Sequence, residues 1–300
     1  MKGRDLLYLI RFGLTTVLLH GQDPLVGSLI LTDRCNLACR HCAVANKARV
    51  IYPYSSVRRD MEHLYRQGVR ILLFYGGEPF LWEDSDRTLR DLVSEAKAMG
   101  FILVQVVTNG TFPLDLPEAD LILVSLDGNR RHHNEIRGDT YDRILNHIAA
   151  APNRNICLYM AVNNINWQDI EEVSRLAQRL TKVKAVAFNF HTPYPGVESL
   201  QLSGEEARSA VQAITAMKQD GLPILNLVRA LPRLIEHRFQ APCRQCVVME
   251  NGAGWTCGRC IEIPGLCEQC GFAFAAELSL VFQGNLPVVG EFLRTYLRQF

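Results

Sequence analysis

No stretch of about eighteen apolar residues occurs in this 300-residue chain, so no segment reads as a membrane-spanning helix. The N-terminus lacks the small-residue cleavage site of a secretory signal; the expected location is cytoplasmic, with membrane association left open. A surplus of charge is also missing, since 32 basic residues face 31 acidic ones for a net charge of +1. A track for a polyanionic backbone needs an excess of Lys and Arg, so nucleic acid is not expected as a principal partner. The composition of a disordered chain is absent too. With 48% hydrophobic residues the chain can bury one large core and carry an appendage.

Cysteine, in contrast, is plentiful. Ten cysteines in a reducing compartment are poor candidates for structural disulfides, and most lie in close-spaced groups, which points to metal ligation. Cys157, alone within the apolar run NICLYMAV, reads as a buried core thiol.

Short apolar runs alternate with amphipathic segments from about residue 28 to residue 220. SLILT, VRILLFYGGEP, FILVQVVTNG, DLILVSLDG, NICLYMAVN and VKAVAFNFH read as six strands, divided by helical patterns such as SSVRRDMEHLYRQG and DIEEVSRLAQRL. Continuous apolar strands separated by helices mean repeated βα units on a parallel sheet. Six strands are too few for a closed eight-stranded barrel. The expected fold class is therefore α/β, a partial (βα)6 TIM-like barrel with a small cysteine-rich C-terminal cap. An N-terminal amphipathic helix is expected over 1–24, the barrel over 25–220, and the cysteine-rich region with a terminal helix over 221–300. Each apolar run ends in Gly, Asn, Asp, Ser or Cys. That collects the polar chemistry at the C-terminal edge of the sheet, where parallel α/β proteins place ligands.

CNLACRHC sets Cys35, Cys39 and Cys42 in a C-x3-C-x2-C pattern directly after the first strand. Zinc would demand a fourth ligand, and His41 could serve only if the loop turned its ring inward between two ligating neighbours. A cubane iron–sulfur cluster on three thiolates leaves one iron without a protein ligand, open to substrate. Structural zinc and unligated core cysteines are the rival readings.

GGEP, from Gly76 and Gly77 through Glu78 to Pro79, ends the second strand. Two glycines let backbone approach a ligand, and Glu78 or an exposed carbonyl can accept from an ammonium. Thr108 and Asn109 of TNG end the third strand. Ser125 and Asp127 of SLDG alternate with Leu126, so both can point to one side, toward ribose hydroxyls or a substrate. Arg137, before a glycine, can pair bidentately with a carboxylate; a surface salt bridge is its rival. His132 and His133 read as solvated. Asn163 and Asn164 end the fifth strand. His191, in FNFHTPYP, reads first as a satisfied structural histidine and second as a substrate contact.

In this order and at matching strand ends, these motifs resemble the radical S-adenosylmethionine (radical SAM) superfamily across roughly residues 28 to 200. The resemblance implies that Cys35, Cys39 and Cys42 hold a [4Fe-4S] cluster whose unique iron is chelated by the amino and carboxylate groups of S-adenosyl-L-methionine (SAM). It implies that Gly76, Gly77, Glu78 and Pro79 recognise the methionine amino group and that Arg137 takes the carboxylate. Thr108, Asn109, Ser125, Asp127 and Asn163 would complete the cofactor site, with substrate contact as the alternative for Asp127. Reductive cleavage to methionine and a 5′-deoxyadenosyl radical, fed by an electron donor such as flavodoxin or ferredoxin, is the implied activity, and it is expected to be oxygen-sensitive. Nothing assigns a general base or nucleophile, so the catalytic residues stay unknown.

Cys243, Cys246, Cys257, Cys260, Cys267 and Cys270 form three CxxC pairs, a strong metal signal. Six thiols fill one four-ligand site with two to spare, so one auxiliary [4Fe-4S] cluster is the leading expectation and zinc the next. The set departs from the seven-cysteine SPASM pattern of many peptide-modifying relatives. With HNEIRG and a short cysteine region, the chain is similar to the branch that includes hopanoid-adenosylating enzymes. At the N-terminus, Leu6, Leu7, Ile10, Leu14, Val17 and Leu18 share one helical face, while Arg4, Tyr8, Arg11 and Thr15 share another. Such a helix can lie in a membrane interface, giving peripheral membrane contact, or pack against the barrel. A lipid or isoprenoid substrate is expected first and a peptide or protein second. A non-catalytic iron–sulfur or zinc scaffold is the third reading, although a scaffold has no use for an open iron.

Overall fold

Alternation along the apolar runs sorts each strand into a face packed on helices and a face turned to the barrel interior. The computed structural model describes residues 3–43, 47–241 and 243–297. Six parallel strands, β1 (Val26–Ile30), β2 (Ile71–Tyr75), β3 (Leu103–Thr108), β4 (Leu121–Ser125), β5 (Ile156–Val162) and β6 (Val183–Phe190), lie side by side in chain order. On β3 every second residue, Val104, Val106 and Thr108, is buried. Two further strands, β7 (Cys246–Glu250) and β8 (Ala253–Thr256), extend the sheet beyond β1, so the order is β8-β7-β1-β2-β3-β4-β5-β6. β7 is parallel to β1, with Cys246 opposite Val26, and β8 is antiparallel to β7. The six barrel strands expected from sequence are all present; the two added strands come from the cysteine-rich segment, where CVVME is set among cysteines and has no helical pattern after it to mark a βα unit.

Preceding the sheet is α1 (Gly3–Leu19). The crossovers α2 (Tyr54–Arg66), α3 (Leu89–Met99), α4 (Arg130–Arg137), α5 (Tyr141–Ala150) and α6 (Ile170–Arg179) follow their strands, and α7 (Gly204–Gln219) follows β6. Local chemistry fixes several ends. Thr88 and Asp91 form a capping box at the start of α3, which stops at Gly100 in the left-handed region (φ 102°). Ser203 and Glu206 cap α7 in the same way. Leu29, Leu72, Phe74, Val106 and Val124 pack beneath Met61, Leu64, Leu92 and Ile144 as one core. On the interior side Leu121, Cys157, Ala185 and Leu225 form a separate apolar plug, which makes Cys157 a buried core thiol with its pKa pushed up by burial.

α8 (Leu231–Ile235), α9 (Ala273–Phe282) and α10 (Leu286–Leu297) complete the chain. α9 begins at the C-terminal end of β6, where Ala273 N donates to Asn189 Oδ1 at 2.8 Å. α1 lies at the opposite, N-terminal edge of the sheet. Tyr8 Oη donates to the Gly68 carbonyl at 2.5 Å just before β2, and Phe12 meets Phe282, the last residue of α9, edge-on at 5.4 Å. The face carrying Tyr8, Phe12 and Thr16 is thus the inner one, and Leu6, Leu7, Ile10, Leu14 and Leu18 point to solvent.

Candidate active site and thiol groups

The three-thiol loop leaves the end of β1 and is held shut at its base by Asp33 and by Thr32, whose hydroxyl donates to the Val50 carbonyl at 2.5 Å. Asp33 accepts from Ala48 N at 2.5 Å and Val50 N at 2.6 Å, pinning both sides of the loop. Burial pushes its carboxyl up, and the backbone N–H groups outweigh this and leave it below the ordinary range. Cys35, Cys39 and Cys42 are half-buried and form no disulfide. Burial raises Cys39 to about 11 despite Arg137 nearby, and Cys35 shifts in the same direction. Without a cation Cys35 and Cys39 are neutral thiols, so loading a metal centre there releases protons.

Gly76 and Gly77 press against the incoming strand end. A Cβ on Gly76 would stand 2.3 Å from the Thr32 carbonyl oxygen, and one on Gly77 2.2 Å from that of Arg34. Glu78, fully buried, accepts from Thr108 Oγ1 at 2.7 Å, Asn109 N at 2.8 Å and Phe80 N at 3.1 Å. Its carboxylate therefore staples the β2 and β3 turns together and is occupied. Burial still pushes it up to about 7. Pro79 opens the short 3-10 turn that follows. Asn109 Nδ2 reaches the cysteine loop, donating to Asn36 Oδ1 at 2.8 Å and lying 3.7 Å from Cys35 Sγ.

Ser125 is buried at the end of β4. Asp127, two residues on, is fully buried and committed: Oδ2 accepts from Arg137 Nε at 2.5 Å and Oδ1 from Ala161 N at 2.8 Å. Burial pushes its carboxyl up, and Arg137, with His41 and the Ala161 N–H, more than compensates, so it lies below the usual range. Arg137 is thus in a buried ion pair rather than a surface one, with Nη1 3.9 Å from Cys39 Sγ. Its location brings a guanidinium to the thiol loop. Asn163 is buried in a turn, its Oδ1 accepting from Ile165 N at 2.9 Å, while Asn164 donates to Ser199 O on the surface.

His132 and His133 differ from the sequence reading, and His191 agrees with it. His133 is not solvated: it is fully buried, its Nδ1 accepting from Asp127 N at 3.1 Å and its Nε2 3.0 Å from Thr140 Oγ1. His132 sits 2.7 Å from Asp169 Oδ2. His191 contacts the Val197 carbonyl at 2.8 Å. His41 does turn inward. Its Nε2 lies 3.4 Å from Arg137 Nη2, and its buried Nδ1 has no hydrogen-bond partner among the described residues. Burial, reinforced by Arg137, lowers it to about 4, so it is a neutral imidazole. Sequence reasoning missed Asp33, Asn36 and Asn166, whose Nδ2 binds the Asp127 and Ala161 carbonyls at 3.2 and 3.0 Å. Only the Asx-rich turns hinted at them.

The second thiol group lies along the seam between β7 and β6. Cys243, Cys257, Cys260, Cys267 and Cys270 line one cavity with Thr192, and Cys246 packs behind, its Sγ 3.3 Å from Cys243 Sγ. Cys257 is held at φ 67°, a left-handed conformation uncommon for a residue with a Cβ. Gly271 lets the segment close on β6: its carbonyl accepts from Phe190 N at 2.8 Å, and a Cβ would meet the Phe190 carbonyl at 2.3 Å. Among the described residues no three His, Cys, Asp or Glu side chains converge as ligands of a single ion do. Thiols spread around a cavity suit a polynuclear centre, where each binds a different metal.

Fe-coproporphyrin III synthase of Methanosarcina barkeri is 31% identical over 202 residues, 61% of this chain and 49% of that protein. The antilisterial bacteriocin subtilosin biosynthesis protein AlbA of Bacillus subtilis is 25% identical over 181 residues, 56% of this chain and 39% of its own. The chain thus spans half or less of these relatives. Among solved structures, Streptococcus suis SuiB bound to its precursor peptide SuiA superimposes with a TM-score of 0.64 at 15% identity, covering 97% of this chain and 72% of that one. The likeness shows a shared fold that reaches into the cysteine-rich segment. Residues 29–177 match the radical SAM superfamily model. That match runs from β1 into α6 and includes the three-thiol loop, and the chain accordingly belongs to the radical SAM superfamily of enzymes.

Proposed function

We propose that this protein cleaves SAM reductively at a [4Fe-4S] cluster held by Cys35, Cys39 and Cys42 and uses the product radical on an organic substrate. The observation that carries this reading is a loop of three half-buried thiols laced to the β2 and β3 turns, with the Arg137 guanidinium beside Cys39. One-electron reduction breaks the bond from sulfonium to C5′, giving methionine and a 5′-deoxyadenosyl radical that abstracts hydrogen from, or adds to, the substrate.

The chain's own part is positional. Asp127 fixes Nε of Arg137, so the Nη groups are the ones left for the methionine carboxylate. Since the Glu78 carboxylate is occupied, main-chain carbonyls of the Gly76–Pro79 turn are the acceptors for the methionine ammonium. Ser125, Thr108, Asn109 and Asn163 stand at the strand ends around that position. The donor class is flavodoxin or ferredoxin. For the six C-terminal thiols we favour a second [4Fe-4S] cluster over zinc, supported by their spread around a shared cavity.

For the substrate we favour a peptide. One relative is named for bacteriocin biosynthesis, and the leucine face of α1 lies at the end of the barrel opposite the strand ends that carry the site. A lipid or isoprenoid is the second reading, favoured by those same exposed leucines. The test is anaerobic reconstitution with iron and sulfide, reduction, addition of SAM and quantification of 5′-deoxyadenosine. Wild type is expected to form it, and a variant with Cys35, Cys39 and Cys42 all changed to Ala is expected to form none. Equal product from both chains would sink the assignment. Peptide and lipid fractions are then compared for the one that raises SAM turnover.

A further inference from the structure

We infer that α1 docks this protein on an anionic lipid surface through its leucine face, leaving the site-bearing edge of the barrel toward water. The inference does not depend on the proposed chemistry. α1 is fixed with its apolar side outward by specific contacts: the Tyr8 hydroxyl on the Gly68 carbonyl, the Arg70 guanidinium 4.7 Å over the Tyr8 ring, and Phe12 against Phe282. Leu6, Leu7, Ile10, Leu14, Leu18 and Leu19 are left between 48% and 75% exposed. Val17 lies against the Gly284 turn that leads into α10, where Leu286 is 80% exposed and continues the patch. A contiguous apolar stripe of this kind is rare on the surface of a monomer.

Charge selects the occupant. Arg4 and Arg11 are exposed and seven residues apart, so they form one rim of the stripe, and Asp5, the helix's single acid, is half-buried on the inner side. Leucines in the acyl boundary with arginines at headgroup level is the arrangement of an interfacial helix, and each arginine strengthens the hold on an anionic surface. A second copy fits less well. Two-fold pairing of the stripes would bring one arginine rim against the same rim or bury it on leucine.

The position of α1 gives the docking a direction. It lies at the N-terminal ends of the strands, whereas Cys35, Gly76, Asn109 and Ser125 stand at the C-terminal ends. A protein seated on α1 opens its barrel to the aqueous phase. A substrate embedded in that same membrane would have to leave it to be reached.

Flotation of the reconstituted full chain with vesicles tests this. Vesicles of phosphatidylcholine with phosphatidylglycerol should carry the protein, and pure phosphatidylcholine or high salt should release most of it. Leu14→Glu combined with Leu18→Glu, at solvent-exposed positions, should lower the bound fraction at least about tenfold with an unchanged melting temperature. Three outcomes would overturn the inference: no flotation with anionic vesicles, flotation undiminished in the double variant, or a wild-type dimer in light scattering that the double variant turns into monomers. The last would hand the stripe to a second copy.

Discussion

Gly77 shows how closely the site depends on single atoms. Its N–H donates to the Thr32 carbonyl at 2.7 Å, and the next N–H, of Glu78, to the Arg34 carbonyl at 2.9 Å, so the turn after β2 is welded to the segment that delivers Cys35. An added methyl would overlap Arg34 O and push the cysteine loop away. Gly77→Ala is expected to destabilise the chain by about 2 kcal/mol and to weaken SAM binding at least tenfold, read by calorimetry on the reconstituted protein. Retained affinity would show that the close approach is slack. The sequence supports a ligand-facing role for the glycines; the packing role is invisible there because Arg34 and Gly77 meet only once the fold forms. The same holds for Asp127 and Arg137, legible as a carboxylate and a guanidinium but not as partners. His41 and His133 are the clearest cases, since no local pattern announces that a histidine will be enclosed between an aspartate and an arginine.

At the level of elements, the sequence pattern located each of the six parallel strands of the barrel and the helices between them, because each apolar run ends in turn or polar residues and alternates with amphipathic helical segments. It failed at β7, a run set among cysteines and followed by a hairpin and short turns instead of a crossover helix. That strand changes the status of the C-terminal segment, which hydrogen-bonds to β1 along its length and so belongs to the sheet. Removing everything after residue 240 would expose the β1 edge and take Val248 and Met249, both buried, out of the packing beside it. The fragment 1–240 is expected to be aggregated or to lack near-UV circular dichroism. A soluble fragment with the full chain's near-UV spectrum would contradict the shared sheet. For α1, helical spacing separated the leucines from Tyr8, but it grouped Arg4 and Arg11 with Tyr8, whereas both arginines are exposed and Phe12 and Thr16 are the buried residues. Tyr8 and Phe12 win the inner position through partners far away in sequence, and the leucines are left outside.

Over the whole molecule, one buried carboxyl joins the barrel to its C-terminal helices. Glu277, on α9, accepts from Asn226 Nδ2 at 2.9 Å, and Asn226 in turn brackets Phe188 on β6, accepting from its N–H at 2.7 Å and donating to its carbonyl at 2.9 Å. Lys218 of α7 is the nearby cation, but it lies 3.0 Å from Glu291 of α10, so its charge is shared. Burial pushes Glu277 up to about 7, against the opposing pull of Asn226, the Leu227 N–H and Lys218, while Glu291 adds to the rise. A carboxyl raised in the fold binds its proton more tightly there than in the unfolded chain. Its contribution is therefore complete below about pH 4.5 and is lost as pH climbs through about 7. Glu277→Gln removes the titration and keeps the shape. The stability of the variant relative to wild type should rise between pH 5 and pH 8 by up to roughly 3 kcal/mol, measured as the difference in anaerobic denaturation free energy. A constant offset from repacking the amide does not alter that slope. A difference flat with pH would mean that water or Lys218 keeps Glu277 ionised throughout, and that the joint between barrel and C-terminal helices is insensitive to protons.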